Sequence, residues 1–326
     1  MKPNVQRSRL PGRIRRHPVL AALSALAVTA ACASALPAAQ AGEPGQAGKQ
    51  KTAMEEVWRT DFDGAAGSLP SGDDWIIDKG TGYEGGPPNW GTGEVQSYTD
   101  SPENLQLDGE GRLKITARKD GGGWTSARIE TKRTDFAAPE GGKLRIEASI
   151  KLPEVSGDKA LGYWPAFWTL GDKYRGNYQN WPGVGEFDIM ENVNGENAAH
   201  GVLHCGVNPG GPCNETQGLG SKTECTGTSC QSGFHEYALE LDRSGGTEEL
   251  RWYLDGKQFH SVSASAMDAK TWADATHHGH FILLNLAMGG AFPDGAAGRK
   301  TPTDATAPGG SMLVDHVSVE RTGGAA

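Results

Sequence analysis

Long apolar runs are what this chain most lacks. Past residue 41 none approaches the roughly 20 residues that cross a bilayer as a helix, so no later segment is read as a membrane span. There is no glycine-rich phosphate loop, no internal repeat and no alternation of strand and helix patterns, which removes the basis for a nucleotide-binding α/β reading. Helical periodicity is confined to residues 264–275, a turn or two. Basic residues are in the minority, 31 Lys and Arg against 40 Asp and Glu. That balance argues against nucleic acid or another anionic polymer as a partner, while a neutral polymer meets no repulsion.

Much of the basic charge gathers at the N-terminus. Lys2, Arg7, Arg9, Arg13, Arg15 and Arg16 precede an apolar run over 19–32, and a stretch of small residues then ends at Ala39-Gln40-Ala41. This is the order of a secretory signal peptide over 1–41, cleaved near Ala41. Its removal takes six basic groups and no acid, moving the formal net charge from −9 to −15. Arg15-Arg16 hints at twin-arginine export, without the rest of that motif. Residues 42–53 are rich in Gly, Glu, Lys and Gln and read as a disordered lead-in. Residues 54–326 read as one secreted, monomeric domain with no membrane association.

Within that domain Gly and Pro punctuate short runs of apolar–polar alternation. The pattern predicts strands over 57–60, 94–98, 112–117, 127–133, 143–152, 163–170, 184–193, 199–205, 235–241, 250–254, 257–263, 280–287 and 312–321. An all-β chain of this kind stacks two antiparallel sheets as a β-jelly roll sandwich.

One run carries more chemistry than the rest: Gly185-Glu186-Phe187-Asp188-Ile189-Met190-Glu191-Asn192. Glu186 and Asp188 share a strand face, while an unbroken strand would turn Glu191 to the other side. One extra residue around Ile189-Met190, a β-bulge, would return Glu191 to the acidic face. Two Glu so placed would stand roughly 5–7 Å apart, the range for a nucleophile and an acid/base in a retaining glycosidase. Asp188 between them would tune the proton affinity of both. The same residues could also form a solvated strand face or a metal site. The run holds no His or Cys, and oxygen-only cages normally come from loops.

The motif resembles the bulged E-x-D-x-x-E signature of glycoside hydrolase family 16, in its laminarinase-like endo-1,3(4)-β-glucanase branch. Further blocks resemble the family in the right order: residues 90–99 followed by Pro102-Glu103-Asn104, residues 125–129 followed by Thr131-Lys132, and residues 164–171, 284–290 and 314–319. The resemblance implies a jelly roll with a concave substrate cleft. It makes Glu186 the nucleophile, Asp188 the assisting carboxylate and Glu191 the acid/base, with no cofactor for catalysis. Trp164 and Trp168, four apart and so on one strand face, would stack on sugar rings, with core packing as the other use of a buried indole. Trp90, Tyr83 and Trp181 are weaker candidates that could instead pin loops.

Glu94 and Arg128 match positions that face substrate hydroxyls; the plainer alternative is a strand-surface ion pair, perhaps with one another. Thr92 and Gly93 stand where the family usually has two Asn, which puts the glycone-side hydrogen bonds in question. His204 matches a family His near the acid/base, and could orient Glu191, touch a leaving-group sugar or simply be buried and satisfied. Asn285, alone and polar in an apolar strand, either reaches the cleft floor or, in the reading we favour, satisfies backbone groups. Asp315, with backbone oxygens of Asp61 and Gly111, matches a structural Ca²⁺ site of the family, while a solvated Asp315 is the alternative.

Export makes disulfides the default for Cys205, Cys213, Cys225 and Cys230. Of three pairings, short loops favour Cys205–Cys213 with Cys225–Cys230; a zinc ribbon fits the spacing poorly. The loop that follows His204 resembles one in fungal family members and would wall the leaving-group side. Asn214-Glu215-Thr216 fits a glycosylation sequon, which the bacterial look of the signal peptide discounts. The expected activity is secreted, retaining endo-hydrolysis of internal 1,3-β-D-glucosidic linkages in laminarin-type glucan. Mixed-linkage β-1,3-1,4-glucan and β-1,3-galactan are alternative substrates, and transfer to sugar is an alternative outcome. A non-catalytic β-glucan-binding module is the alternative class, against which the intact Glu pair argues.

Overall fold

Every stretch predicted as a strand from its alternation overlaps a strand, although 94–98, 127–133 and 184–193 run past the ends of theirs. The computed structural model describes residues 53–121 and 123–322. The expected signal peptide (1–41) and the lead-in up to residue 52 lie outside them. The early strands are β1 (Met54–Thr60), β2 (Trp75–Asp78), β3 (Gln96–Tyr98), β4 (Leu105–Leu107), β5 (Leu113–Thr116), β6 (Arg118–Asp120), β7 (Gly123–Ser126) and β8 (Arg128–Thr131). The middle of the chain gives β9 (Lys143–Lys151), β10 (Tyr163–Gly171), β11 (Glu186–Glu191), β12 (Ala198–His204), β13 (Leu219–Glu224), β14 (His235–Asp242), β15 (Glu249–Leu254) and β16 (Lys257–Ser263). Helix α1 (Ala269–Thr276), β17 (His280–Met288), helix α2 (Ala291–Ala297) and β18 (Ser311–Thr322) complete it.

Two antiparallel sheets stack to form the sandwich. One runs β16-β15-β14-β9-β18-β5-β4, with β1 also on β18; the other runs β13-β12-β11-β10-β17-β8-β2. A small third sheet, β3-β7-β6, was not expected, and its β3·β7 pair is parallel. The core between the large sheets is built by inward residues of both, among them Phe167, Phe187, Ile189, Leu284 and Leu286 against Ile146, Ile150, Leu239 and Val314. A second apolar cluster, Leu170, Tyr174, Val184, Phe281 and Leu283, packs on the far face of the seven-stranded sheet. Strand β17 is therefore covered on both faces, and all nine of its residues are buried. Helix α1 starts where Asp268 accepts hydrogen bonds from the backbone N–H of Lys270 and Thr271, a cap worth about 1 kcal/mol.

The expected bulge is present in β11. Toward β10, Met190 pairs with Phe167 and Asp188 with Trp168, leaving Ile189 without a partner. Toward β12, Asp188 pairs with Val202 and Glu191 with His200, so Gly201 alone stands opposite both Ile189 and Met190. Ile189 and Met190 are both fully buried, and Glu191 returns to the face of Glu186 and Asp188. The Asp188 carbonyl at the bulge is satisfied from the other sheet: Trp252 of β15 donates its Nε1–H to it at 2.7 Å. Gly201 makes room for that indole, since a Cβ there would stand 2.5 Å from Trp252 Cδ1.

Candidate active site

The outer face of the seven-stranded sheet carries a cavity of about 330 Å³, and Glu186, Asp188 and Glu191 all line it. Asp188 and Glu191 are almost fully buried, Glu186 partly so. Burial raises all three carboxyls. Glu186 is pushed up to about 7, with Glu191 adding to the rise and His204 and the Trp181 N–H opposing it. Asp188 is held well above the ordinary carboxylate range by burial, then by the charges of Glu191 and Glu186. Glu191 is raised by burial against the Trp164 N–H and the nearby His204 and His200. Burial and mutual repulsion thus work together to favour retained protons among the three carboxyls.

Two tryptophans fix the outer pair. Trp164, on β10, donates Nε1–H to Glu191 Oε1 at 2.8 Å, and Trp181 donates to Glu186 Oε2 at 3.0 Å. Trp168 pairs directly with Asp188 across the strands and donates to Asn285 Oδ1 at 2.7 Å. All three indoles line the cavity and keep part of their surface open, while Phe167 between Trp164 and Trp168 is buried in the core. Trp164 meets Phe292 of α2 edge-on at 5.9 Å.

The other end of the cavity is organised around Arg128. Its guanidinium lies 4.5 Å from the Trp90 ring centroid, 4.9 Å from that of Trp168 and 5.2 Å from that of Tyr83. Its Nε donates to Asp78 Oδ2 at 3.0 Å and Nη2 to the Tyr83 hydroxyl at 2.9 Å. Burial outweighs this pairing at Asp78, whose carboxyl rises to about 6. Glu94 and Arg128 are therefore not a surface pair, since both are buried and Arg128 binds Asp78 instead. The Glu94 oxygens accept from Thr92, Gln96 and Tyr98 at 2.9, 2.6 and 2.9 Å, and burial raises this carboxyl too. Asn285 does not serve backbone groups as favoured: it accepts from Trp168 and donates Nδ2–H to the Tyr98 hydroxyl at 3.1 Å, on the cavity wall.

His204 pairs directly across from Glu186 on β12. Its Nε2 stands 3.4 Å from Asp188 Oδ2, and its Nδ1 hydrogen-bonds Glu215 Oε2 at 2.7 Å. The ring is mostly buried, which works against its charge, yet Glu215, Glu186 and Glu191 together hold it above the ordinary imidazole value. Disulfides join Cys205 to Cys213 and Cys225 to Cys230.

Asp315, Asp61 and Gly111 do not line the cavity. Asp315 is the extra residue of a bulge in β18, half exposed, accepting from His316 Nδ1 at 3.1 Å. The Asp61 side chain accepts from Arg59 at 2.7 Å, and its carbonyl lies 3.8 Å from where a Cβ on Gly111 would stand. Carboxylate and carbonyl oxygens are the donor types that Ca²⁺ takes, although the carboxylates of Asp315 and Asp61 are here paired with His316 and Arg59.

Three participants escaped the sequence reading. Asp78 sits in a strand too short to show its period, Trp252 belongs to the opposite sheet, and Glu215 was seen only as part of a loop and a sequon. Each acts through a contact distant in sequence, which periodicity does not encode.

Comparison with known proteins adds to this geometry. A family model described as "XgeA-like, catalytic GH16 domain" matches residues 114–246. The beta-glucanase of Rhodothermus marinus is 30% identical over 278 residues, covering 82% of this chain and 85% of that protein. The clotting factor G alpha subunit of Tachypleus tridentatus is also 30% identical, over 73% of this chain, which spans only 30% of its length. Among solved structures, the endo-1,3-beta-glucanase from Streptomyces sioyaensis is 56% identical with a TM-score of 0.81, covering 86% of this chain and 99% of that one.

Proposed function

The chain belongs to glycoside hydrolase family 16, and on that premise we propose that it is a retaining endo-1,3-β-glucanase acting outside the cell. One observation carries the mechanism: the bulge turns Glu186 and Glu191 to one cavity face, where each accepts an indole N–H. Glu186 attacks the anomeric carbon as a carboxylate. Glu191, whose hold on a proton burial strengthens, gives that proton to the departing glycosidic oxygen. In the second half-reaction Glu191 takes a proton from water, which displaces Glu186 from the sugar. Asp188 holds its own proton, and in that form can donate to Glu186 and withdraw as the covalent bond forms. The chemistry calls for two carboxyl groups and water, and no cofactor.

Trp164 and Trp168 offer apolar faces to sugar rings, and Trp90, Arg128, Glu94 and Asn285 shape the glycone end. There the Thr92 hydroxyl is spent on Glu94 and Gly93 has no side chain, so few donors reach the sugar from this loop. That observation favours, as a second reading, tolerance of mixed 1,3-1,4 linkages. The residue 1–41 pattern and the two disulfides support export, and no helix among the described residues is long and apolar enough to cross a membrane. We read the protein as a monomer that holds a structural Ca²⁺ at Asp315 and the carbonyls of Asp61 and Gly111. A melting temperature raised by added Ca²⁺ in the wild type but not in Asp315→Asn tests that site.

The test of the mechanism is Glu186→Gln. The variant should fold and release essentially no reducing ends from laminarin, curdlan, lichenan or β-1,3-galactan, while the wild type acts chiefly on the first two. Substantial residual turnover removes Glu186 from the nucleophile role. A first-formed α-anomer in the wild-type product would exclude retention.

A further inference from the structure

Behind the three cavity carboxyls lies a fourth, which the reaction above leaves unused. The Glu215 side chain has no solvent exposure at all, and a lone carboxylate in such a place is costly. Both its oxygens are nonetheless occupied. Oε2 accepts from His204 Nδ1 at 2.7 Å, and Oε1 from the Cys205 backbone N–H at 2.9 Å. The loop that delivers it is closed twice: by the Cys205–Cys213 disulfide, and by reciprocal backbone bonds between Gly210 and Glu215 at 2.7 and 2.6 Å.

The Nδ1 nitrogen that meets Glu215 carries the ring's proton, because a carboxylate can only accept. The other nitrogen faces acids as well. Nε2 stands 3.4 Å from Asp188 Oδ2, an oxygen that is buried and has no hydrogen bond of its own. The polar atoms of His204, Asp188 and Glu186 all lie within 4.8 Å of one another. Among the described residues, the charged groups that act most strongly on this imidazole are Glu186 and Glu191 from β11 and Glu215 from the disulfide loop, with Asp188 of β11 beside Nε2.

We propose that Glu215 is a positioning residue: through Nδ1 it keeps His204 a cation with Nε2 against Asp188 and Glu186, so that Glu186 gives up its proton more readily before attack. The inference rests on Glu186 being the nucleophile. It makes the loop beyond the cleft wall part of the apparatus that sets the protonation state of the site. A carboxylate that fixes an imidazole's tautomer and charge is a general device, and its loss costs from about 10–100-fold behind a metal-bound histidine to about 10⁴-fold in a serine hydrolase triad.

The experiment is a pH profile of kcat/KM on laminarin for the wild type and Glu215→Gln. Near pH 5 the neighbouring Glu186 and Glu191 still favour the charged imidazole without Glu215, so the two enzymes should agree within about threefold. At pH 7.5 the variant should fall about 10-fold or more below the wild type, its basic limb displaced toward acid. A loss of the same size at every pH, or parity throughout, overturns the proposal. In a His204→Gln background, Glu215→Gln should leave the shape of the profile unchanged; a further pH-dependent loss there also overturns it. Should Glu215→Gln fail to fold, ¹⁵N NMR of the histidine-labelled wild type decides, since both His204 ring nitrogens must carry protons at pH 7. An active Glu186→Gln would defeat the mechanism itself, whereas an inert Glu186→Gln beside a pH-independent Glu215→Gln would defeat only this inference.

Discussion

Trp252→Phe should loosen the catalytic strand from the far side of the sandwich. The substitution deletes the N–H that bonds the Asp188 carbonyl at 2.7 Å and keeps most of the apolar ring. A buried carbonyl left without a partner costs about 1–3 kcal/mol. The smaller ring at a fully buried position adds about 1 kcal/mol of cavity cost. The expected total is about 2–4 kcal/mol, read as a lower urea midpoint at unchanged slope with the disulfides intact. Glu191 depends on the bulge for its place, and a displacement of about 1 Å can cost 100-fold in rate, so kcat on laminarin should fall about 10–100-fold well below the melting temperature. Gly201→Ala provides the companion measurement, because its Cβ would stand 2.5 Å from Trp252 Cδ1. Alone it should cost about 1–3 kcal/mol, and less in the Trp252→Phe background, giving a coupling above about 0.5 kcal/mol. A stability change under 0.5 kcal/mol with kcat preserved, or strict additivity of the pair, refutes the reasoning.

The pH dependence of stability follows from Glu186. Its folded-state pKa is raised to about 7, above the unfolded value of about 4.3, so between these limits the native state holds a proton that the unfolded state has released. Stability must therefore fall as pH rises through that window, by about 2–3 kcal/mol once the open side of the cleft is allowed for, and nothing is lost below it. Glu186→Gln should flatten that slope and converge with the wild type near pH 4; an unchanged slope contradicts the assignment. Arg128→Lys should destabilise by about 3 kcal/mol, since an ammonium cannot both bridge to Asp78 and lie flat among three rings, and a melting curve within a degree of wild type would count against that role. Replacing Cys205 and Cys213 by Ser opens a loop with a sequence separation of 8 and should cost about 2–3 kcal/mol. The same pair of changes should reproduce the neutral-pH defect of Glu215→Gln, which kcat/KM at pH 5 and 7.5 would reveal.

The alternation of inward and outward residues was enough to find the long strands, because burial on one face writes a period of two directly into the chain. It failed where that period had too few residues to show. Strand β2 is Trp75–Asp78 alone, and β13 reads Leu-Gly-Ser-Lys-Thr-Glu, a polar edge with little to bury. Helix α2 was hidden by Pro293 and Gly295, although Pro is tolerated in a first turn where its missing N–H would have no partner. The bulge was legible because three acids spaced two and then three apart share a face only if a residue is inserted. The partners of those acids were not legible. Trp181 and Trp252 reach Glu186 and the Asp188 carbonyl from a loop and from the opposite sheet, and no local pattern distinguishes an indole that donates from one that merely packs.

The indole N–H bonds from Trp164 to Glu191 and from Trp181 to Glu186 give the protein an optical gauge of its own chemistry. An indole changes its emission when the carboxyl it touches gains a proton, or when a ring of glucose settles over its face. Steady-state fluorescence of Glu186→Gln, with no label attached, would thus report how a polymer chain fills the groove before any bond is cut.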